Sequence, residues 1–499
     1  ESFTGSSATF TNKELKMIGN SNVLESLKTL DPSFAIIENN DFGSDPNKAP
    51  QIQLRGQQSM PDIKGTYNGN PNQPLFILDG FETDITTVYD LDMNRVETIV
   101  LLKDAAAKAL NAGLDMEMVS TCYLTYLKEL VQEGKVKESV LDDAVRRILE
   151  KKYELGLFED PFRYCNPERA ARILNAPEVR NASLRMAERS VVLLENRESV
   201  LPLTAQTRKI ALIGGLSKSQ YDMAGAWAAT TDRNKVVTLY DALVRKGLEV
   251  SYAEGYDMKS NQLTGLQEAL QAAEASDVIV VAVGERFGQS GEKASKVNIA
   301  IPEGQQKLVS ELAKTGKPVI ALVMCGRPVI FNEIREHADA VLCTWWLGSE
   351  AGNAICNVLW GEYNPSAKLP MTFPAHVGQI PIYYQNKSTG RPTALKQTYK
   401  ASYIDASTEP AYPFGYGLSY TDFGYSDLKL LPGKAAGVHT EVSVKVTNTG
   451  KCTGEEVVQL YVQDKVASVT RPIKELKGFR KIHLNVGESK TVAFQITDD

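Results

Sequence analysis

Residues 101–118 read LLKDAAAKALNAGLDMEM. Leu102, Ala105, Ala106, Ala109 and Leu110 fall at helical spacing, and Ala, Leu and Lys are good helix formers. Gly113 stands where such a helix takes a C-cap, ahead of a short acidic, Met-rich turn. Alone, the stretch is a helix with its cap. The sequence on either side decides whether it lies inside one fold or joins two.

The chain has 499 residues, room for about three domains of ~150 residues each. With 43% hydrophobic and 23% charged residues it has the composition of soluble globular protein. A net charge of −6 gives no basic footprint for nucleic acid or an anionic membrane surface. No run of ~18 apolar residues is present, so no transmembrane helix is expected. The opening ESFTGSSATF lacks a basic and an apolar region, so it does not read as a signal peptide and suggests a processed chain or a fragment. Cys122, Cys165, Cys325, Cys343, Cys356 and Cys452 lie far apart, without metal-ligand spacing, and read mostly as buried small hydrophobes. Four dispersed histidines argue against a His-based triad or a metal site, and no cofactor is implied.

Before the quoted stretch, residues 1–108 mix Asn, Gly, Pro and Asp with short apolar segments. A short helix starts near NVLESL, with Ser21 or Asn22 as N-cap. QIQLRG (51–56) alternates like a half-buried strand, a polar loop covers 57–73, PLFILDGF (74–81) is a strand closed by an Asp-Gly turn, and VETIVLL (96–102) is another strand. Asp79 and Arg55 read as structural partners. The series LESLKTLDPSFAI, IQLRG, PLFILDG and VETIVLLKDAAA resembles the plug domain of TonB-dependent outer-membrane receptors of the glycan-importing class. In that family the Lys-Asp-Ala-Ala run leads to a Tyr-Gly-Ser turn and then a long β-barrel. Here that continuation is missing.

After it, residues 109–165 read as two helices joined at Gly134, with Ser139 and Asp142 spaced as a capping box and Gly156 as terminator. Residues 166–208 read as a helical linker ending at Leu-Pro. KIALIGG (209–215), DVIVVAVGE (277–285), PVIALVMCG (318–326) and AVLCTWW (340–346) read as buried parallel strands, with GLQEALQAAEAS and EGQQKLVSELAKTG as helices between them. Residues 209–400 are therefore expected to form a doubly wound α/β domain. YPFGYGLSYTDF lies in an aromatic, Gly-rich connector (401–425), and strict alternation in 426–499 predicts an antiparallel β-sandwich. ALIGGLSKSQ lacks the glycine spacing and Gly-Lys-Ser/Thr ending of a phosphate loop, and reads as an ordinary turn.

AGLDMEM, LLENRESVLPL, GERFGQSGEKASKVNIAIPEGQ, WWLGSEAGNAICNVLWGEYNPSAKLPMTFP, VGQIPIYY, YPFGYGLSY and RPIKELKGF together resemble glycoside hydrolase family 3, in its periplasmic β-glucosidase branch, over about 109–499. The resemblance implies the last unit of a truncated (β/α)8 barrel at 109–165, the α/β sandwich domain, and a fibronectin-III-like domain at 426–499. The quoted stretch is then a seam between a small plug-like α+β segment and a glycosidase. The implied activity is exo-acting, retaining hydrolysis of terminal β-linked sugars, with an oligosaccharide or β-glucoside as substrate. Such chemistry needs two carboxyl groups about 5–5.5 Å apart.

By resemblance Glu292 is the acid/base, on the loop after the strand that ends at Gly284. Glu285 is expected to fix that loop, aided by Lys293 and Lys296. Glu285, Gln289 and Ser290 are the candidates for substrate contact. The family's nucleophile is the Asp of a Ser-Asp-Trp-like segment on the seventh barrel strand, and no such segment occurs in this chain. Asp115 matches a strand-eight position with a packing role and is not promoted to nucleophile. The chain is accordingly expected to be inactive or weak, and to be periplasmic or associated with the outer membrane, with a homodimer as a further expectation. The alternatives are a non-catalytic carbohydrate-binding or plug-like component of a glycan uptake system, or a chimera joined at the seam by rearrangement or in sequence assembly. The sandwich, ending at Asp499 just after a strand, is expected to lack an edge.

Overall fold

The computed structural model describes residues 104–497 except 119–121, 175, 229–231, 389–401 and 434–437, and before them 8–11, 17, 23–30, 34–37, 51–54, 76–78, 81–83 and 98–101. The chain divides into two compact units, Glu1–Pro167 and Glu168–Asp499.

In the first unit, β1 (Ala8–Thr11) pairs antiparallel with β6 (Thr98–Leu101), β2 (Phe34–Ile37) with β3 (Gln51–Leu54), and β4 (Phe76–Leu78) with β5 (Phe81–Thr83). Helix α1 (Val23–Leu30) buries Val23, Leu24 and Leu27. The strands expected in QIQLRG, PLFILDGF and VETIVLL are present. The Ser21/Asn22 cap, the 57–73 loop and the Asp79–Arg55 pairing lie outside the described residues.

One helix, α2 (Asp104–Asn111), runs through Lys108 and Ala109 without a break. It ends as expected at Gly113, whose φ of +97° is a conformation that side chains rarely adopt. Small Ala106 and Ala107 let α2 close on α3 (Cys122–Gln132) and α4 (Glu138–Glu154), sharing a core with Leu110, Leu130, Val136 and Ala144. The capping box read at Ser139 does not form. Lys137 is the N-cap, without a side-chain hydrogen bond, because the helix already begins at Glu138 and Ser139 lies inside its first turn. Val145, Leu149, Tyr153 and Phe158 line a shallow groove of about 480 Å³ on the outer face of α4.

The second unit opens with α5 (Pro167–Leu174) and α6 (Pro177–Glu188). Its sheet has the order β7-β12-β11-β10-β8-β9, from β7 (Val192–Asn196), β8 (Lys209–Ile213), β9 (Glu249–Ala253), β10 (Val278–Gly284), β11 (Val319–Met324) and β12 (Ala340–Cys343). All neighbours are parallel except β7, which runs antiparallel to β12. Every residue of β10 is buried, because helices cover both faces. Ile279, Val281 and Val283 face α9 (Leu266–Glu274) and α10 (Glu303–Ala313) through a cluster that includes Ala269, Leu308 and Leu312. Val278, Val280 and Ala282 belong to the opposite cluster, with Leu239 and Leu243 of α8 (Leu239–Arg245; α7 is Gln220–Ala224) and Ile355 and Leu359 of α12 (Ala351–Leu359; α11 is Asn332–His337). Each fully buried aliphatic side chain contributes about 1.5–3 kcal/mol.

The sheet starts earlier than the sequence reading placed it. SVVLLEN was read as part of a helical linker over 166–208, but Val192–Asn196 forms the antiparallel edge strand β7. The short strand β9 was not anticipated either. The β-sandwich follows, with β13 (Phe423–Pro432), β14 (Val438–Asn448) and β17 (Ser489–Thr497) in one sheet and β15 (Gly454–Val462) with β16 (Glu475–Leu484) in the other. They enclose Val446, Val458, Leu484, Val492 and Phe494. The aromatic connector straps onto the α/β domain. The hydroxyls of Tyr412, Tyr416 and Tyr420 donate to Glu195 Oε1, the Leu194 carbonyl and the Val358 carbonyl at 2.8, 3.1 and 2.8 Å.

Candidate active site

Strands β8 and β10 are neighbours although β9 separates them in sequence, so the strand order reverses between them. At such a reversal the loops leaving the carboxyl ends diverge and open a crevice, the usual ligand position in a doubly wound sheet. The loop after β10, residues 285–296, carries all the sequence-predicted site residues.

The loop base is fixed by a buried ionic cluster. Glu285 is only 1% exposed. Its Oε1 meets Lys296 Nζ at 2.9 Å and its Oε2 meets Arg327 Nε at 3.2 Å. Its backbone N–H donates to the Met324 carbonyl at 2.8 Å, and its carbonyl accepts from Trp346 Nε1 at 3.3 Å. Both carboxylate oxygens are therefore engaged inside the protein. Glu285 and Lys296 thus tie the loop down, whereas Lys293, expected to help hold it, makes no ion pair among the described residues.

Asp222, also buried, anchors the other side. Its Oδ1 accepts the Phe287 N–H at 2.8 Å and its Oδ2 accepts the Ser219 hydroxyl at 2.5 Å. Gln289 folds back, its side-chain oxygen accepting the Arg286 N–H at 2.9 Å, and Ser290 is buried beneath the apex. Glu292 stands at that apex, exposed, between Gly291 with φ +113° and Lys293 with φ +57°. Among the described residues no side chain hydrogen-bonds or ion-pairs with its carboxylate.

Sequence reasoning missed Asp222, Arg327, Trp346 and Trp227. A methyl on Gly291 would lie 3.1 Å from Ala226 Cβ and 3.8 Å from the Trp227 ring, which puts that indole beside the apex. Trp227 is 77% exposed, a large apolar face left open next to a free carboxyl group. Exposed aromatic faces adjacent to polar groups suit the apolar faces of ligands. No local motif marked these residues, since Asp222 and Phe287 are 65 positions apart and Arg327 and Glu285 are 42 apart.

Asp115 lies in the first unit, bound by Arg147 at 2.7 and 2.6 Å. The Arg147 hydrogen bonds hold its carboxyl below the ordinary Asp range. The arrangement is a structural ion pair, consistent with leaving Asp115 out of the nucleophile role. Cys325 and Cys343 approach to 3.9 Å between their sulfurs, and burial pushes the Cys343 thiol well above its usual range, a setting that makes thiols inert.

Two segments of the chain match glycoside hydrolase family 3: residues 191–420 match the glycosyl hydrolase family 3 C-terminal domain and residues 80–151 the glycosyl hydrolase family 3 N terminal domain. Residues 456–499 match the fibronectin type III-like domain, and residues 1–113 match the TonB-dependent receptor plug domain, overlapping the N-terminal match.

Over 424 residues the chain is 42% identical to the periplasmic beta-glucosidase of Salmonella typhimurium, covering 79% of this chain and 55% of that protein. It is 37% identical to a beta-xylosidase of Formosa agariphila, over 82% of this chain and 58% of that one. Among solved structures, the beta-glucosidase from Listeria innocua in complex with isofagomine superposes with a TM-score of 0.72 at 38% identity, over 79% of this chain and 55% of the other. The chain thus spans little more than half the length of the relatives it matches.

Proposed function

We propose that this chain carries the acid/base half of a retaining exo-β-glycosidase acting on terminal β-linked sugars, with a β-glucoside as the leading substrate and a β-xyloside next. The carrying observation is Glu292: a carboxyl group at the apex of an anchored loop, at the sheet's switch point, free of charge partners among the described residues. In this role it protonates the glycosidic oxygen as the bond breaks, then takes a proton from the water that releases the sugar. Trp227 supplies the stacking face for the leaving group. Glu285 and Asp222 cannot serve as nucleophile, because both are buried with their oxygens occupied. The covalent partner is the family's Ser-Asp-Trp-type aspartate, which this sequence does not contain. Turnover of aryl β-glucosides by this chain is therefore expected to be slight or nil. The name of the Salmonella relative supports a periplasmic location.

The exposed Trp227 favours a second reading, sugar binding without hydrolysis. One experiment separates the two: assay the chain and Glu292→Gln on an aryl β-glucoside while following tryptophan emission as glucose is added. Slow residual turnover that Glu292→Gln removes supports the acid/base reading, and turnover comparable to an intact relative overturns the expectation of slight or nil activity. Quenching by glucose without turnover, lost in Trp227→Ala, supports binding, and the absence of both slow turnover and quenching refutes both readings.

A further inference from the structure

We infer that Arg327 is a positioning residue for Glu292, and that Glu285 acts as its counter-charge rather than as a sugar ligand. This inference rests on the acid/base reading of Glu292 given above. Arg327 follows β11, one strand over from the loop it holds. Its Nε reaches Glu285 Oε2 at 3.2 Å, while its Nη2 donates to the carbonyls of both Gln289 and Ala294, the latter at 2.6 Å. Those two carbonyls bracket residues 290–293, so one planar guanidinium closes the loop at the two points where the apex enters and leaves. The fork geometry of arginine suits this three-point grip, which a lysine ammonium cannot reproduce in one plane.

The apex has no anchor of its own. Glu292 has no side-chain partner among the described residues, and the single internal bond across it, from Ala294 N–H to the Gly291 carbonyl, is 3.3 Å long. Its position is therefore inherited from the brackets. Catalytic groups placed an ångström away from their productive position lose much of their effect, which makes the bracket a functional element.

The loop base holds three cations, of which Glu285 pairs with Lys296 and Arg327 and Asp222 faces Arg286 at 4.0 Å, so the base is held by charge pairs to which Glu292 does not belong. Trp346 completes the seat. A methyl on Gly326 would lie 2.7 Å from both the Ser290 hydroxyl oxygen and the Trp346 ring, so the loop, the Arg327 turn and the indole pack without spare room.

The test is hydrogen exchange on the full chain, resolved by peptide, in Arg327→Gln, Arg327→Lys, Glu285→Gln/Arg327→Gln and Glu292→Gln. Arg327→Gln is expected to speed exchange within 288–295 at least ten-fold while β10 and β11 keep their protection. Arg327→Lys restores part of that protection. Arg327→Gln leaves Glu285 paired with Lys296, so no buried carboxylate is stranded, and the double variant, which removes the Glu285 contact as well, leaves the loop as loose as Arg327→Gln does. Glu292→Gln leaves exchange unchanged. Protection unaltered in Arg327→Gln overturns the inference, as does loosening spread evenly over the sheet, or full recovery in the double variant. These outcomes concern the loop alone, so they stand apart from failure of the acid/base reading, which is tested by the activity of Glu292→Gln.

Discussion

Replacing Gly284 with Ala tests how tightly the last residue of β10 is built into the site. The residue has φ +132°, and a methyl there would lie 1.9 Å from the Met324 carbonyl oxygen, far inside contact distance. Holding an L-residue in so sparse a region costs about 1–3 kcal/mol. The clash adds to it, because relief requires β10 and β11 to part where Gly284 pairs with Met324. That movement endangers the Glu285 N–H bond to the Met324 carbonyl at 2.8 Å, the bond that the Gly284 N–H donates to Gln305 Oε1 at 2.7 Å, and the one that Gln305 Nε2 donates to the Gly284 carbonyl at 3.2 Å. At about 1 kcal/mol for each of these three hydrogen bonds, the total comes to about 4–6 kcal/mol. Gly316→Ala is the control: its φ is +71°, and nothing lies within 4 Å of an added methyl, so only a conformational cost of about 1–2 kcal/mol applies. Urea unfolding followed by tryptophan emission reads the right unit, since Trp227, Trp345, Trp346 and Trp360, all the tryptophans in the chain, lie within Glu168–Asp499. If the two variants differ by less than about 1 kcal/mol, the close-contact argument fails.

Three further outcomes are expected. Thr238→Ala should cost about 1 kcal/mol, because Thr238 forms a capping box with Asp241 at the start of α8, and a shift in the urea midpoint measures it. Glu455 joins the sandwich to the α/β domain through Arg189, Tyr363 and Ser366, with Lys481 at its side. Burial opposes its ionisation, but Lys481, Arg189 and Tyr363 outweigh burial and hold its carboxyl below the usual Glu value of 4.5. With the folded value depressed, the stabilisation is complete above the unfolded value and is lost as pH falls through the folded one. Protection at this junction should therefore drop in acid below about pH 4.5 in the native protein, and Glu455→Gln should flatten that response; an unchanged profile counts against the clasp. Limited proteolysis should leave a resistant core from about residue 194 onward, and a resistant product confined to the first unit would contradict the packing described for the second.

The central strands were legible because burial on both faces leaves a continuous apolar run, as in DVIVVAVGE. The same rule hid β7. SVVLLEN follows helix α6 with no Gly or Pro between them, and a run buried on both faces carries no alternation to separate it from a helix. β9 sits at the sheet edge with a mostly half-buried pattern, too short and mixed to stand out. The loop after β10 was singled out through its family resemblance, whereas its supports were not. Glu285 and Arg327 come together because β10 and β11 are neighbours, a fact of topology that spacing along the chain does not encode. Helix α2 was readable in sequence because Asp104–Asn111 keeps one helical register.

The most direct test of the account is to incubate the full chain with an activated 2-deoxy-2-fluoro β-glucoside and map any adduct by mass spectrometry. With Glu292 proposed as the proton donor and no Ser-Asp-Trp-type segment in this sequence, no labelled aspartate is expected. A stoichiometric glycosyl ester on any aspartate of this polypeptide would contradict it.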